Sequence, residues 1–548
     1  MKHLTVLALV ASLSFGLVTE SFRYQSTAGL FEDDYDLLFD PARIPEIGGA
    51  RLWTSLANLV TGDEQLFSDG SQPHFIIGGV AGLGDYYPGL MYDRRADKTA
   101  LATGLNDPFG TPLYGEAEVT VINWNNPDTL GNFTDRTVET VKASAYEAVS
   151  SSDWYIAAGT RMNDEVRLGL GFMHSDYTSK MTDPANNFGY LYFTQDLVAD
   201  TLEYQRVVTF AGDGVTKTSE NDFIFSAWLD RESVSFGLNV GFALLGVKNE
   251  AVILGDSAEY DFPMNPDTSY TVVSILDSVQ QPQSGKRISI GLKSFYDYNE
   301  NAQGRFYLDL FTSSHEYRDD AADYFFKTRE LSYNNYTWDT VNTVTYYEGS
   351  GDAKGISAGT KHLFSITQRF KFGIGLFFST SAYSNSTTTR DTTVSIRVYD
   401  NGDTIAGPED FTRTVTQSET WLTDVEGSTN SFLIPVGIEF AVMQPLVFRL
   451  GAQHLLSYND RTTTTEMIDY EPQHTVTVYG DGNVTEVFQD PGPRPERSVV
   501  QETEKVPATS YYYGLGWMVN KNLQIDLMGF NELTDLGTWR LSATLRFD

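Results

Sequence analysis

The chain has 548 residues, a formal net charge of −35, 13% aromatic residues and no cysteine. Such an acidic balance excludes a nucleic-acid partner, whose phosphates demand a basic footprint. Without cysteine there can be no disulfide, thiolate nucleophile, Cys-ligated zinc or lipidated N-terminal Cys.

In chain order, the N-terminus reads as an export signal. Lys2 supplies a small positive region, Leu4 to Val10 an apolar core loosely extended to Val18, and cleavage is expected between Gly16 and Gln25, so that residues 1–20 approximate the signal. A membrane anchor is the alternative, but the run is short for a span. No later segment offers about 18 uncharged apolar residues in a row, so helical spans are not expected. An exported chain can still cross a membrane as a closed barrel.

Residues 21–72 precede the regular pattern, and 73–548 carry it. His74 to Leu83 is a first candidate strand. Leu52 to Leu59 and a segment near Glu116–Trp124 also look strand-like. Six hairpins then follow: Asp153–Thr160 with Glu165–Tyr177, Asp222–Arg231 with Val234–Leu244, and Lys286–Tyr298 with Gly304–Ser314. The other three are Ala353–Phe364 with Arg369–Ser381, Asn430–Val442 with Pro445–Tyr458, and Thr509–Val519 with Lys521–Phe530. Most of these strands alternate apolar and polar residues over about 10 to 13 positions, the length that crosses a bilayer at a tilt. In Lys286–Tyr298, for example, Ile288, Ile290 and Leu292 share one face and Arg287, Ser289 and Lys293 the other. The chain ends on one more such strand, in which Trp539, Leu541, Ala543, Leu545 and Phe547 oppose Arg540, Ser542, Thr544 and Arg546.

Turns inside the pairs are short, as at Met443-Gln444 and Asn520-Lys521, whereas the connections 178–221, 247–285, 315–352, 383–429 and 459–508 are long. A soluble sandwich rarely carries five such loops. The fold class is therefore all-β: an antiparallel transmembrane β-barrel with short periplasmic turns and long external loops. Fourteen strands are favoured, and sixteen result if both extra segments join. Localisation follows as the bacterial outer membrane, with membrane lipid and lipopolysaccharide as surroundings. The C-terminal strand Trp539–Phe547 is the expected signal for the barrel-assembly machinery.

Charge is partitioned. Acids such as Asp319, Asp320, Asp323, Glu466, Asp469 and Glu471 crowd the long connections. A divalent-cation reading of these acids lacks a regular calcium-loop spacing, so no metal and no cofactor is expected. The polar strand faces carry Arg167, Arg287, Lys293, Arg305, Asp309, Lys371, Glu439, Arg449, Asp526 and Arg540, with Arg546 and Glu165. A charge facing lipid costs about 2–4 kcal/mol at midplane, so these residues are expected to line the lumen, as filling ion-pair networks or as a ring that steers a solute. Inward glycines recur at Gly169, Gly171, Gly237, Gly241, Gly373, Gly375, Gly514 and Gly516. Either barrel curvature, the plainer cause, or close approach of a plug or solute accounts for them. Tyr296, Tyr298, Tyr511, Tyr513 and Trp517 suit interfacial girdles.

Ahead of the strands, Asp33-Asp34 precede Asp40-Pro41-Ala42. This spacing resembles the N-terminal hatch of the FadL-like channels for long-chain fatty acids and other hydrophobic compounds, with Asp40 where that superfamily usually has Asn. The resemblance implies a fourteen-stranded barrel whose N-terminus, here 21–72, folds inside as a plug. It also implies hydrophobic ligands that leave sideways through the wall. Asp40-Pro41 by itself reads as a helix start. Histidines His174, His362 and His454 lack a recognisable triad spacing, and no enzyme is expected. The leading function is passive uptake of a small, hydrophobic solute; an open porin for polar solutes and a structural or partner-binding barrel are the alternatives.

Overall fold

The computed structural model describes residues 20–57, 74–107, 109–127, 133–182, 190–198, 201–261, 269–332, 335–403, 405–489, 494–530 and 540–547. The export signal, Thr538 and Trp539 lie outside them. The strands are β1 Ala50–Ala57, β2 His74–Val80, β3 Tyr86–Ala100, β4 Ala102–Asn106, β5 Pro112–Pro127, β6 Phe133–Arg161, β7 Val166–Thr182, β8 Tyr190–Val198, β9 Thr201–Arg231 and β10 Val234–Asp261. They continue as β11 Ser269–Asn299, β12 Ala302–Ser332, β13 Asn335–Thr367, β14 Phe370–Asp400, β15 Phe411–Met443, β16 Leu446–Tyr479, β17 Val484–Gln489, β18 Ser498–Asn520, β19 Leu523–Phe530 and β20 Arg540–Phe547.

The sheet closes because β1 pairs with β2 on one side and with the C-terminal β20 on the other. The ring runs β1, β2, β3, β6, β7, β9 to β16, β18, β19, β20 and back. That is sixteen antiparallel strands, the larger of the two counts the sequence allows. Of the two extra segments, Leu52–Leu59 enters as β1 over its described part, which ends at Ala57, so the barrel begins at Ala50 rather than at 73. Glu116–Trp124 does not enter the ring. It lies in β5, which pairs with the distal part of β6 (Gly115↔Ala145 to Pro127↔Phe133). The sixteenth position is β3, between β2 and β6. Sequence pattern hides β3 because its lumen-facing alternates, Tyr87, Gly89, Met91, Asp93 and Arg95, mix apolar and charged residues to suit what they meet inside.

The long connections are largely strand rather than loop. Tyr399 still pairs with Phe411, and Asp261 with Ser269, far beyond the hairpins' apolar stretches. Threonine-, valine- and tyrosine-rich runs such as Thr387–Val394 favour a pleated, half-buried surface and keep the ladder going. Strands β13, β15 and β16 are 33, 33 and 34 residues long. At about 3.3 Å per residue and a tilt near 40° these reach roughly 80 Å, against an apolar band of about 25 Å. The band itself is plain on β15, where Phe432, Ile434 and Phe440 are exposed outward, and on β11, where Ile288, Ile290 and Leu292 are. A closed even-stranded barrel with an apolar outer band spans a bilayer without an edge, and it places the protein in the bacterial outer membrane. Among the described residues no helix is long and apolar enough to cross a membrane.

Candidate functional site: a plugged lumen

The lumen is filled near the short-turn end by residues 20–49. Ser21 caps the helix Phe22–Ser26, accepting from the Tyr24 amide. Asp33 caps the helix Asp34–Leu38 in a capping box, with Asp36 accepting from the Asp33 amide at 2.7 Å. Asp36 also accepts from the Ser21 amide and hydroxyl at 2.6 and 2.7 Å, tying the two helices together. Pro41 and Pro45 limit the next segment, Pro41–Glu46, to a 3-10 turn. Asp40 stands at its N-cap, but its carboxylate makes no cap hydrogen bond. It accepts instead from Ser226 Oγ on β9 at 2.6 Å and Lys293 Nζ on β11 at 2.8 Å.

Other plug charges reach the wall too, Glu32 and Glu46 while also holding Arg43 of the plug at 3.1 Å. Arg23 bonds Glu439 on β15 at 2.7 Å, Glu32 meets Arg305 on β12 at 2.7 Å, Asp34 meets Arg51 on β1 at 2.9 Å, and Glu46 meets Arg167 on β7 at 2.8 Å. With Asp40–Lys293, these pairs fasten the plug to five different strands. Backbone carbonyls add to it: Tyr155 donates to the Leu38 oxygen at 3.1 Å and Arg161 to the Pro45 oxygen at 2.5 Å. Beneath lies an apolar seat in which Leu38, Ile44, Trp53, Met91 and Tyr155 are buried together.

Several inward glycines are seats for this plug, so curvature is not their main cause. A Cβ on Gly169 would stand 2.2 Å from the Pro41 carbonyl carbon, on Gly159 2.3 Å from the Pro41 oxygen, and on Gly437 2.5 Å from the Thr27 oxygen. Gly373 and Gly514 face Leu30 and Ser26 in the same way. Gly237, Gly241, Gly375 and Gly516 instead make room for wall side chains, among them Trp228 over Gly237.

Of the charged residues expected on the lumen side, Arg167, Lys293, Arg305 and Glu439 bind the plug directly. Arg449 joins Glu439 at 3.2 Å and Asp526 at 2.6 Å in a buried network, with Lys371 at 3.9 Å from Glu439. Arg287 pairs with Glu220 and with Asp222 at 3.4 Å. Asp309 lies beside Gly291, and Arg540 is in electrostatic reach of Asp93 and Arg95. Arg546 donates to Gln524 at 2.8 Å. Glu165 is not in the lumen: it sits in the β6–β7 turn, 3.4 Å from Arg231 of the next turn. Of the motif residues, Asp33 caps, Asp34 and Asp40 pair with the wall, Pro41 rests on the glycines, and Ala42 is buried with Trp228 and Phe295. His454 meets Thr509 at 2.9 Å, while Ser457 turns to Asn459.

Sequence reasoning puts the rings Phe295, Tyr307 and Phe377 on the lumen side, but missed the cations that cover them and the plug charges Arg23, Glu32, Arg43 and Glu46. Arg43 lies over Trp228 and Phe295 at 5.1 and 5.0 Å, and Arg305 covers Phe295 at 4.5 Å. Lys361 donates to Tyr24 Oη at 2.6 Å among the rings of Tyr24, Tyr307 and Phe377. The available signal was the density of Arg and Glu in 20–46, too many for an apolar filler. Burial opposes ionisation of Glu32, but Arg305 and Arg43 outweigh it and hold the carboxyl well below the usual range. Asp40 is lowered likewise, with Lys293 and Arg43 overcoming burial. Asp33 and Asp36 move up instead, through burial first, then the charge of Asp526 on Asp33 and of Asp33 on Asp36.

On the bilayer side of β7 and β9–β12, next to the clamp, is an apolar recess of about 620 Å³. Phe236, Leu292, Phe306 and Leu308 line it, and it reaches Trp228, Lys293 and Tyr307 of the lumen row. Those last three belong to one cross-strand row through Gly237.

No protein-family model matches the chain, and no curated protein does. Solved structures do. The CymD monoaromatic hydrocarbon channel aligns at 9% identity and a TM-score of 0.32, over 84% of this chain and 98% of its own. A Pseudomonas aeruginosa FadL homologue aligns at 10% identity and 0.24, over 97% and 100%. The ferric yersiniabactin uptake receptor FyuA from Yersinia pestis aligns at 10% and 0.32, over 91% and 80%. At such identities and TM-scores these alignments carry no argument about family, role or cargo.

Proposed function

We propose that the protein is a passive outer-membrane channel for small hydrophobic molecules, in which the plug stays in place and cargo leaves sideways into the bilayer. The observation that carries this reading is the pairing of a lumen shut by a wall-bonded plug with an apolar recess beside it. A polar solute gains nothing from that geometry, since its straight path ends on buried ion pairs. An apolar solute reaching Tyr307 and Trp228 has lipid-facing apolar surface directly behind them. The wall strands are paired at the recess, so passage requires a local opening of the ladder around Gly237 and a swing of the Trp228 ring that covers it.

The test is single-channel conductance in planar bilayers, full length beside a variant lacking 31–47, together with uptake of a hydrophobic probe by proteoliposomes. Silence in the full-length protein, steps after deletion and carrier-free uptake by the full-length protein are expected. Large steady conductance in both would overturn the plugged channel in favour of an open porin.

A further inference from the structure

Above the plug, one sector of the lumen wall is paved with aromatic rings laid on glycines. The lumen face of β13 reads Gly349, Gly351, Ala353, Gly355, Ser357 and Gly359, a stretch without charge that ends at Lys361. Rings from both neighbouring strands occupy the space those glycines leave. Phe311 on β12 comes within 2.4 Å of where a Cβ on Gly355 would be, His315 within 2.5 Å of Gly351's and Tyr317 within 2.4 Å of Gly349's. From β14, Phe377 comes within 2.1 Å of Gly359's, and Tyr383 within 2.5 Å of that of Gly427 on β15. Each pair is directly cross-strand: Phe311↔Gly355, His315↔Gly351, Tyr317↔Gly349, Gly359↔Phe377 and Tyr383↔Gly427.

Each ring fills the space over its cross-strand glycine, and all five are half-buried rather than enclosed. From Gly349 to Gly359 the stripe climbs about 25 Å. Its lower end does not stop at the plug. Phe377 lies 6.0 Å from Tyr307, Tyr307 6.1 Å from Phe295, and Phe295 5.1 Å from Trp228. Tyr307 and Trp228 are also walls of the apolar recess. Aromatic cover of a strand glycine by itself stabilises a sheet. Such cover also occurs singly elsewhere, as with Trp228 on Gly237 and Tyr513 on Gly529, whereas on β13 four covered glycines follow one another along one strand toward the recess.

Resting on the channel reading above, we propose that this stripe is a track on which planar, uncharged ring compounds slide face to face from the outer tube to the recess. Ring faces stack on ring faces in offset or tilted arrangements that a flexible chain cannot match, and the uncharged glycine floor offers a charged solute no partner.

The test uses the full chain in lipid nanodiscs and proteoliposomes, with 2-naphthol as the planar probe and n-decanol as the chain probe. The variant carries Phe311→Leu, Tyr317→Leu and Tyr383→Leu, which keep apolar bulk, remove the rings and leave the clamp around Lys361 intact. Saturable 2-naphthol binding should weaken at least fivefold and its uptake fall by a similar factor, with n-decanol uptake unchanged. Equal loss for both probes, or no change in 2-naphthol binding, would overturn the track. If the wild type binds 2-naphthol saturably but admits neither probe, the channel reading fails while the binding stripe stands. A second variant, Phe311→Tyr, keeps the ring and should retain 2-naphthol binding within twofold of the wild type, which separates stacking from mere substitution at the site.

Discussion

The hold on the plug can be weighed at Asp40 and Lys293. Asp40 is nearly inaccessible, its side chain 5% exposed, and Lys293 is 24% exposed, with 2.8 Å between their charged atoms. Asp40→Asn preserves shape and can still accept from Ser226, but leaves the Lys293 ammonium facing a neutral amide. Removing one partner of a buried pair costs about 3–5 kcal/mol; the partial exposure of Lys293 and the neighbouring Asp309 bring the expectation to about 2–3 kcal/mol. At one decade per 1.4 kcal/mol, the population of plug-released molecules should rise about 30- to 150-fold. Single-channel recording would show this as brief openings absent from the wild type. Adding Lys293→Met removes the orphaned charge, so the double variant should open less often than Asp40→Asn alone. If Asp40→Asn stays as silent as the wild type, or Lys293→Met adds to its effect rather than offsetting it, the ion pair is not what holds this end of the plug.

Other consequences are equally measurable. Gly169→Val places a Cβ into the Pro41 backbone; it should either unseat the plug and give conductance steps or lower the yield of folded barrel by heat-modifiability gels, and a silent, normally stable variant would contradict the seat. Arg449→Leu leaves Asp526, at 4% side-chain exposure, without its cation, while Glu439 keeps Arg23; the expected loss is about 3 kcal/mol, read as a lower thermal midpoint, which Asp526→Asn in the same chain should partly restore. Because Asp33 and Asp36 are raised in the folded protein, their contribution is fully present below the ordinary carboxylate range and is lost as pH rises through their raised values. Glu32 and Asp40, lowered, stay ionised across that window. The thermal midpoint should therefore fall from pH 5 to pH 8, and Asp36→Asn should flatten that slope; an unchanged slope would refute the assignment.

Much of the barrel could be read from period-two alternation, because a wall between lipid and lumen imposes opposite chemistry on successive residues. The six hairpins, the closing strand and the lumen side of Arg167, Lys293, Glu439 and Arg449 follow from that constraint alone. The same logic failed for β3, whose lumen face answers to Leu38 and to Asp153 rather than to water. It also treated the acid-rich connections as loops, since polarity on both faces erases alternation even where β propensity keeps the ladder paired.

What the plug does was a matter of tertiary structure. Asp33-Asp34 and Asp40-Pro41-Ala42 suggested a hatch, but a sequence cannot say that Asp40 turns from its own helix end to Lys293, 253 residues away. Nor can it pair Arg23 with Glu439 or seat Pro41 on Gly169, because contacts between distant positions leave no local period. Local alternation determined that this chain would close into a membrane barrel. Only the closed ring, by bringing five strands around one short acidic and basic segment, decided that this segment lies inside the barrel, bonded to its wall.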